Sequence, residues 1–282
     1  MIGFNGTYLP AATHHGMRIT AAALGGQWVI GGKWLTHATQ QAILAAFGSA
    51  EGMVVISKTN DYLNAIAATD HARAQQLADF IQEDPLLVCS LVETSKTRWL
   101  VGDGKAYVDS GIIGNQNLTA KARAKMLNKT SVSTYQCVFG SRVTDKQQAV
   151  NVAFIYPSGY YTEFGDVSQD SITGVGVDVI TDFEISKEGA WINGTKVMNG
   201  TNNVFTTPTE IALFSRHDQG ALNARPLNGA ISYVEFGGDT QAHFIPMQRT
   251  DGTCGMLDIV SGTFYPNANT QGQFTIQLTD KA

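Results

Sequence analysis

The sequence is short of charge. Only 15 % of its residues are Asp, Glu, Lys or Arg, against roughly 25 % in ordinary soluble domains. Thr, Asn, Gln, Ser and Gly must therefore cover most of the surface, a composition that suits extracellular β-proteins and virion fibres. The net charge of -5 is spread along the chain. No Lys/Arg cluster marks a nucleic-acid footprint, so we expect no such partner. Cysteine is scarce as well. Cys89, Cys137 and Cys254 are odd in number and form no CxxC pair, which argues against a disulfide framework and a zinc site and for buried free thiols. No run approaches the eighteen apolar residues of a membrane span. The opening MIGFNGTYLPAATHH lacks a basic n-region and a long apolar core, so we expect no cleaved signal peptide and no membrane insertion. Neither GxxxxGK[ST] nor GxGxxG is present, which excludes the usual phosphate loops.

What is present falls into two parts. Residues 1–93 alternate between apolar runs and helical patterns. Met17–Ala22 and Trp28–Leu35, separated by Gly25-Gly26, predict a hairpin, with a bend at Gly31-Gly32. Thr36 is an N-cap candidate for a helix over 37–47 closed by Gly48. Met53–Ile56 predicts a short strand. Asn60 or Asp61 is placed to cap a short helix through Ala68, and Asp70 a second over 71–83 with Ala74, Leu77, Ala78 and Ile81 as its apolar stripe. Pro85 ends that helix and Leu86–Val92 predicts another strand. We read this part as a small α+β module. Its low charge, together with Trp28, Trp34, Leu35 and Phe47, predicts an apolar patch for docking to sister chains or other particle proteins.

Residues 94–282 read as strand and turn, with turn signals about every 8 to 15 residues, as in a β-sandwich. Asn117–Leu127 alternates Leu118, Ala120, Ala122, Ala124 and Met126, a period of two that predicts a strand rather than a helix. The most ordered pattern runs from Ala242 to Phe274: a strand through Phe244-Ile245-Pro246, an Asp251-Gly252 turn, Gly255-Met256-Leu257-Asp258, then Ser261-Gly262-Thr263-Phe264-Tyr265-Pro266-Asn267-Ala268, then Gly272-Gln273-Phe274. Upstream come Ala106-Tyr107-Val108-Asp109-Ser110-Gly111-Ile112, Trp191-Ile192-Asn193-Gly194, Leu213-Phe214-Ser215-Arg216 and Leu227–Tyr233. In content and order these segments resemble the concanavalin A-like lectin/glucanase domains, the laminin-G-like jelly rolls of gut bacteria and their phages. The resemblance covers about residues 94–282. It implies a mainly β chain, a jelly roll preceded by the small α+β module. One fold hosts lectins, hydrolases and spacers alike, so function must come from residues.

Asp182 and Glu184 have the i, i+2 spacing by which glucanases of this fold project carboxylates together, and such a pair could serve a retaining glycosidase. The full acidic triad is missing, however. Phe183, Ile185 and Trp191 alternate with the acids as on any strand with one solvated face, which is the reading we prefer. We therefore expect no catalytic residue. The histidines show no HExxH or HxH spacing, and we expect no metal site. The resemblance leaves room for calcium on loop oxygens such as Asp103 and Asp109, although isolated turn aspartates more often serve turn geometry. For glycans the useful pattern is an aromatic face beside planar hydrogen-bonders. Tyr160, Tyr161, Arg216 and His217 are the candidates; the competing reading points one of the two tyrosines into the core. The expectation that follows is a non-enzymatic phage virion component such as a fibre, spike or decoration protein, displayed on the particle surface and binding host glycans. A glycoside hydrolase and a bacterial surface adhesin are the alternatives.

Overall fold

The structure is a computed structural model. It describes residues 12–14, 17–19, 21–24 and 27–30 as backbone, and 34–128, 135–143, 148–156, 159–171, 176–218 and 225–281. The hairpin turn expected at Gly25-Gly26, the bend expected at Gly31-Gly32 and the side chain of Trp28 lie outside these residues. Two compact units form: residues 1–97 with 280–282, and residues 98–279.

In the first unit, β1 (Ala12–His14) pairs with β2 (Met17–Ile19), and β3 (Ala21–Leu24) with β4 (Gln27–Ile30), each antiparallel. Helix α1 (His37–Phe47) starts at Thr36, whose hydroxyl accepts from the Thr39 amide at 3.3 Å. Helix α2 spans Ser49–Ala67 and so includes Met53–Ile56, expected above as a strand. The reason is a helical stripe. Gly52, Val55, Ile56, Thr59, Asn60 and Leu63 are buried at helical spacing. Asn60 does not cap; its side-chain NH2 donates back to the Ile56 carbonyl at 3.0 Å, as the Thr59 hydroxyl does to that of Val55 at 2.8 Å. Helix α3 (His71–Glu83) is capped by Asp70 and buries Ala74, Leu77, Ala78 and Ile81. Pro85 then opens a 3₁₀ turn, Pro85–Leu87, that runs into α4 (Val88–Leu91), in place of the expected strand. Trp34 and Leu35 are buried, and the Trp34 indole donates to Asn64 at 2.9 Å. Two of the four residues on which the apolar docking patch rested are therefore inside.

The second unit is a β-sandwich, compatible with a jelly roll, and the chain is mainly β. Its strands are β5 (Lys96–Asp103), β6 (Val108–Asn115), β7 (Thr119–Met126), β8 (Tyr135–Arg142), β9 (Ala149–Ile155), β10 (Gly159–Gly165), β11 (Val167–Ser171), β12 (Thr181–Ser186), β13 (Gly189–Ile192) and β14 (Thr195–Asn199). They continue with β15 (Thr206–Leu213), β16 (His217–Asp218), β17 (Asn228–Gly237), β18 (Ala242–Gln248), β19 (Cys254–Asp258), β20 (Thr263–Pro266) and β21 (Phe274–Asp280). One sheet has the order β11-β10-β9-β8-β15-β6, with the short β16 parallel to β8. The other runs β14-β13-β12-β7-β17-β18-β19-β20, with β5 beside β17 and β21 beside β5.

Strand β7 is the alanine alternation foreseen from sequence: Ala120, Ala122, Ala124 and Met126 are buried, while Thr119 and Lys121 are exposed. The β13–β14 hairpin turns at Asn193 (φ 49°) and Gly194 (φ 77°), the two positive φ values of a type I′ turn, which Asn-Gly tolerates. Between the sheets aromatic rings meet edge-on: Phe139 with Phe236 at 5.7 Å, and Phe154 with Phe183 at 5.3 Å. Among the described residues no helix is long and apolar enough to cross a membrane.

One titratable group sits inside this frame. His243 on β18 lies opposite Glu235 and edge-on to Tyr233, 6.0 Å away. Burial pushes its imidazole below the ordinary 6.5; the carboxylates of Glu235 and Asp258 pull upward without prevailing. A histidine whose folded pKa is depressed binds protons better when unfolded. Its contribution is therefore complete above the unfolded value and declines as pH falls below it. The expected outcome is a melting temperature that drops between about pH 7 and pH 5, and a shallower drop in His243→Phe. Parallel slopes in the two proteins would assign the acid sensitivity elsewhere.

Candidate functional site

The site lies on the outer face of the β11-to-β6 sheet, the face turned away from the core. Register alone defines it. Val108, Leu213, Phe139, Val152 and Thr162 form one cross-strand row, and all five are buried on the inner side. The adjacent row is Asp109, Ala212, Gly140, Asn151 and Glu163. Since side chains alternate along a strand, this second row faces outward. It is polar at both ends and small in the middle. A Cβ at Gly140 would lie 2.6 Å from Asn151 Oδ1 and 3.1 Å from Arg216 Cγ. Glycine therefore leaves the room in which the stem of Arg216 crosses the sheet.

The chain after β15 folds over this gap. Phe214 takes a positive φ of 63°, and Ser215, Arg216 and His217 follow, all buried. Arg216 binds Asp218 at 2.6 Å, and Asp218 also faces Arg142 at 3.5 Å. Arg142 reaches Glu163, which is 0 % exposed, at 3.6 Å. Burial alone would lower the Arg142 pKa; Glu163 and Asp218 more than offset it, and the net shift is upward. Beside this charged cluster sits an apolar one, Cys137, Ala153 and Tyr161, flanked by Tyr135 and Ile155. Tyr161 meets Tyr135 edge-on at 5.4 Å, and the Arg225 guanidinium lies 5.6 Å from the Tyr135 ring. Burial, and then the charge of Glu163, push the Tyr161 hydroxyl up to about 12. Burial likewise pushes the Cys137 thiol to about 12, so it is no nucleophile.

At the β6 end of the row a second group converges. Asp109, Glu210 and His217 bring their ligand atoms within 4.8 Å of one another. His217 Nε2 is 2.9 Å from Asp109 Oδ1. Glu210 Oε2 accepts from the Gly111 amide at 2.9 Å. The Tyr107 ring stands edge-on to the imidazole at 6.1 Å.

The residues singled out from sequence separate here. Tyr161, Arg216 and His217 share the outer face. Tyr160 does not: its ring is in the core, 5.9 Å from Phe154 and 5.7 Å from Phe183, which withdraws it from any ligand on that face. Asp103, named with Asp109 as a loop oxygen for calcium, accepts from the amides of Lys105, Ala106 and Gln273, so its oxygens are spent on the turn. Asp182 and Glu184 are on the other sheet, partly exposed. Arg123 grips Asp182 with two hydrogen bonds, 2.7 and 2.9 Å, and Lys121 stands 3.9 Å from Glu184. Lys125 and Asp178 at 2.7 Å extend the same ladder of opposite charges. Sequence reasoning did not single out Arg142, Asn151, Glu163 or Glu210. For Glu163 a signal existed, since it alternates with Tyr161. For Glu210 none did, because its partners come from other strands.

Compared with known proteins, the sequence matches no family model and no curated protein.

Proposed function

We propose that the sandwich is a concanavalin A-like jelly roll serving a phage particle as an outward-facing, non-enzymatic glycan-binding domain, with the segment before Glu93 docking it to sister chains or other virion proteins. The observation that carries the binding reading is the outer face of the β11-to-β6 sheet. An aromatic pair, Tyr135 and Tyr161, lies beside planar hydrogen-bonders, Asn151, Arg142 and Arg216, on one surface. The solvent-facing members are Asp109, Asp218 and Arg142, with side chains 35, 24 and 17 % exposed. These meet sugar hydroxyls, while Tyr161 and Arg216 form the floor that orients them. The ion-paired state of Asp182 and Glu184 supports a non-hydrolytic role, because a glycosidase needs one carboxylate free to attack and the other free to donate a proton. The sparse charge of the surface supports display on a particle.

The test is a titration of the full chain against a panel of host surface polysaccharides, alongside mass spectrometry of purified particles. Saturable binding is expected, weakened about 10-fold or more in Asp218→Asn through the loss of a charged hydrogen-bond acceptor, with no reducing sugar released. Sugar release abolished by Asp182→Asn or Glu184→Gln would replace this reading with the hydrolase. Absence of the chain from particles would remove the virion role.

A further inference from the structure

We propose that Asp109, Glu210 and His217 form a binding site for one divalent metal ion of the zinc or manganese class. Three side chains from three separate strands converge there, β6, β15 and β16, so no local turn explains the grouping. Their ligand atoms lie within 4.8 Å of one another. Two bonds of about 2.0–2.2 Å to one ion hold its ligand atoms no more than about 4.4 Å apart, so the side chains close in by a few tenths of an ångström when the ion binds.

The imidazole is the second, independent observation. His217 is 2 % exposed, and neither ring nitrogen has a hydrogen-bond partner among the described residues. Nε2 does approach Asp109 Oδ1 to 2.9 Å, yet the alignment of an N–H···O bond is missing, and Oδ1 too is without a hydrogen bond. An ion pair between a protonated histidine and an aspartate would point the N–H at the oxygen. Two atoms that close with no aligned N–H between them are placed as neighbours in a coordination shell are. A cation between them satisfies both, where bare burial would leave each with its desolvation cost.

The surroundings hold the ligands in place. The Gly111 amide fixes Glu210 through Oε2 and leaves Oε1 for the ion. The Tyr107 ring, edge-on, limits rotation of the imidazole. Three protein ligands leave at least one coordination position for water or an incoming oxygen. Imidazole decides the ion class: calcium and magnesium take oxygen ligands, whereas zinc and manganese sites accept one nitrogen beside carboxylates. The site thus departs from the expectation of no metal site and from the calcium for which the family resemblance left room, and it stands whether or not the protein binds glycans.

The experiment uses the full chain, stripped with a chelator and titrated calorimetrically with zinc, manganese and calcium chlorides, with cobalt absorption as a second readout. One equivalent of zinc or manganese is expected to bind in preference to calcium. Cobalt should give a d–d spectrum that zinc bleaches. Asp109→Asn and Glu210→Gln should each weaken binding by at least about 10-fold, since even residues behind a ligand are worth that much, with unchanged circular dichroism. His217→Asn should abolish the cobalt spectrum; should that variant fail to fold, the two carboxylate variants decide. No saturable uptake by the folded parent, calcium preferred over zinc and manganese, or uptake unchanged in both carboxylate variants would each overturn the proposal.

Discussion

Replacing Arg142 with methionine is expected to destabilise the protein by about 3 kcal/mol, the low end of the cost of removing one member of a buried ion pair, because Glu163 is fully buried while Arg142 is 17 % exposed. Glu163 is fully buried on β10, and Arg142 reaches it from β8, across β9. Without the guanidinium the carboxylate keeps its desolvation cost and loses the positive charge 3.6 Å away. The pair itself need not stabilise the fold relative to apolar residues of the same size. The double variant Arg142→Met/Glu163→Leu is therefore expected to recover most of the loss. Urea denaturation of the parent, both single variants and the double variant gives the coupling energy directly. A single-variant effect below about 1 kcal/mol, the range of exposed pairs, would show that Glu163 does not depend on Arg142.

Phe139→Ala should cost about as much, roughly 3–5 kcal/mol, for a different reason: a cavity at the centre of the sandwich. Phe139 is 0 % exposed, is continuous with the cross-strand row of the β11-to-β6 sheet, and meets Phe236 of the opposite sheet. It therefore packs the two layers together, and neither layer can collapse to refill its volume without shifting a strand. Phe139→Leu retains most of the apolar volume and should cost less than about 1.5 kcal/mol. Val204→Ala, at a side chain 78 % exposed, is the control and should stay within about 0.5 kcal/mol. Equal midpoints for Phe139→Ala and the control would mean that the sheets are not held through this contact.

How far residues announce structure differs across the chain. Period-two alternation in 118–126 and the Asn193-Gly194 turn are local signals, and both appear in the fold where expected, as do the strands of the Ala242–Phe274 pattern. Met53–Ile56 is apolar and ends in three β-branched residues, yet it is helical, because the buried stripe that settles the matter runs along the whole of α2; Leu86–Val92 instead follows the 3₁₀ turn that Pro85 opens and runs into a four-residue helix. Tyr160 and Tyr161 show the limit of alternation: adjacent residues take opposite faces, but only the register of β9 against β10, and Phe183 across the core, decides which goes inside. The metal-capable group was illegible for a stronger reason. Asp109 is brought to Ala212 by pairing of β6 with β15, and His217 to Ser141 by pairing of β16 with β8. No spacing in the chain encodes that meeting.

The sandwich also begins and finishes at one seam. Strand β21 lies beside β5, the Trp99 indole donates to Thr279 at 2.9 Å, and Asp103 accepts from the Gln273 amide at 3.0 Å, so the two strands run antiparallel. Both points where chain leaves the sandwich therefore sit together at one end. Tension applied across those points would peel β5 from β21 one hydrogen bond after another rather than slide the ladder as a whole. Among the described residues strand β21 pairs with β5 alone, whereas β5 is also held by β17, so β21 is the strand that comes away first.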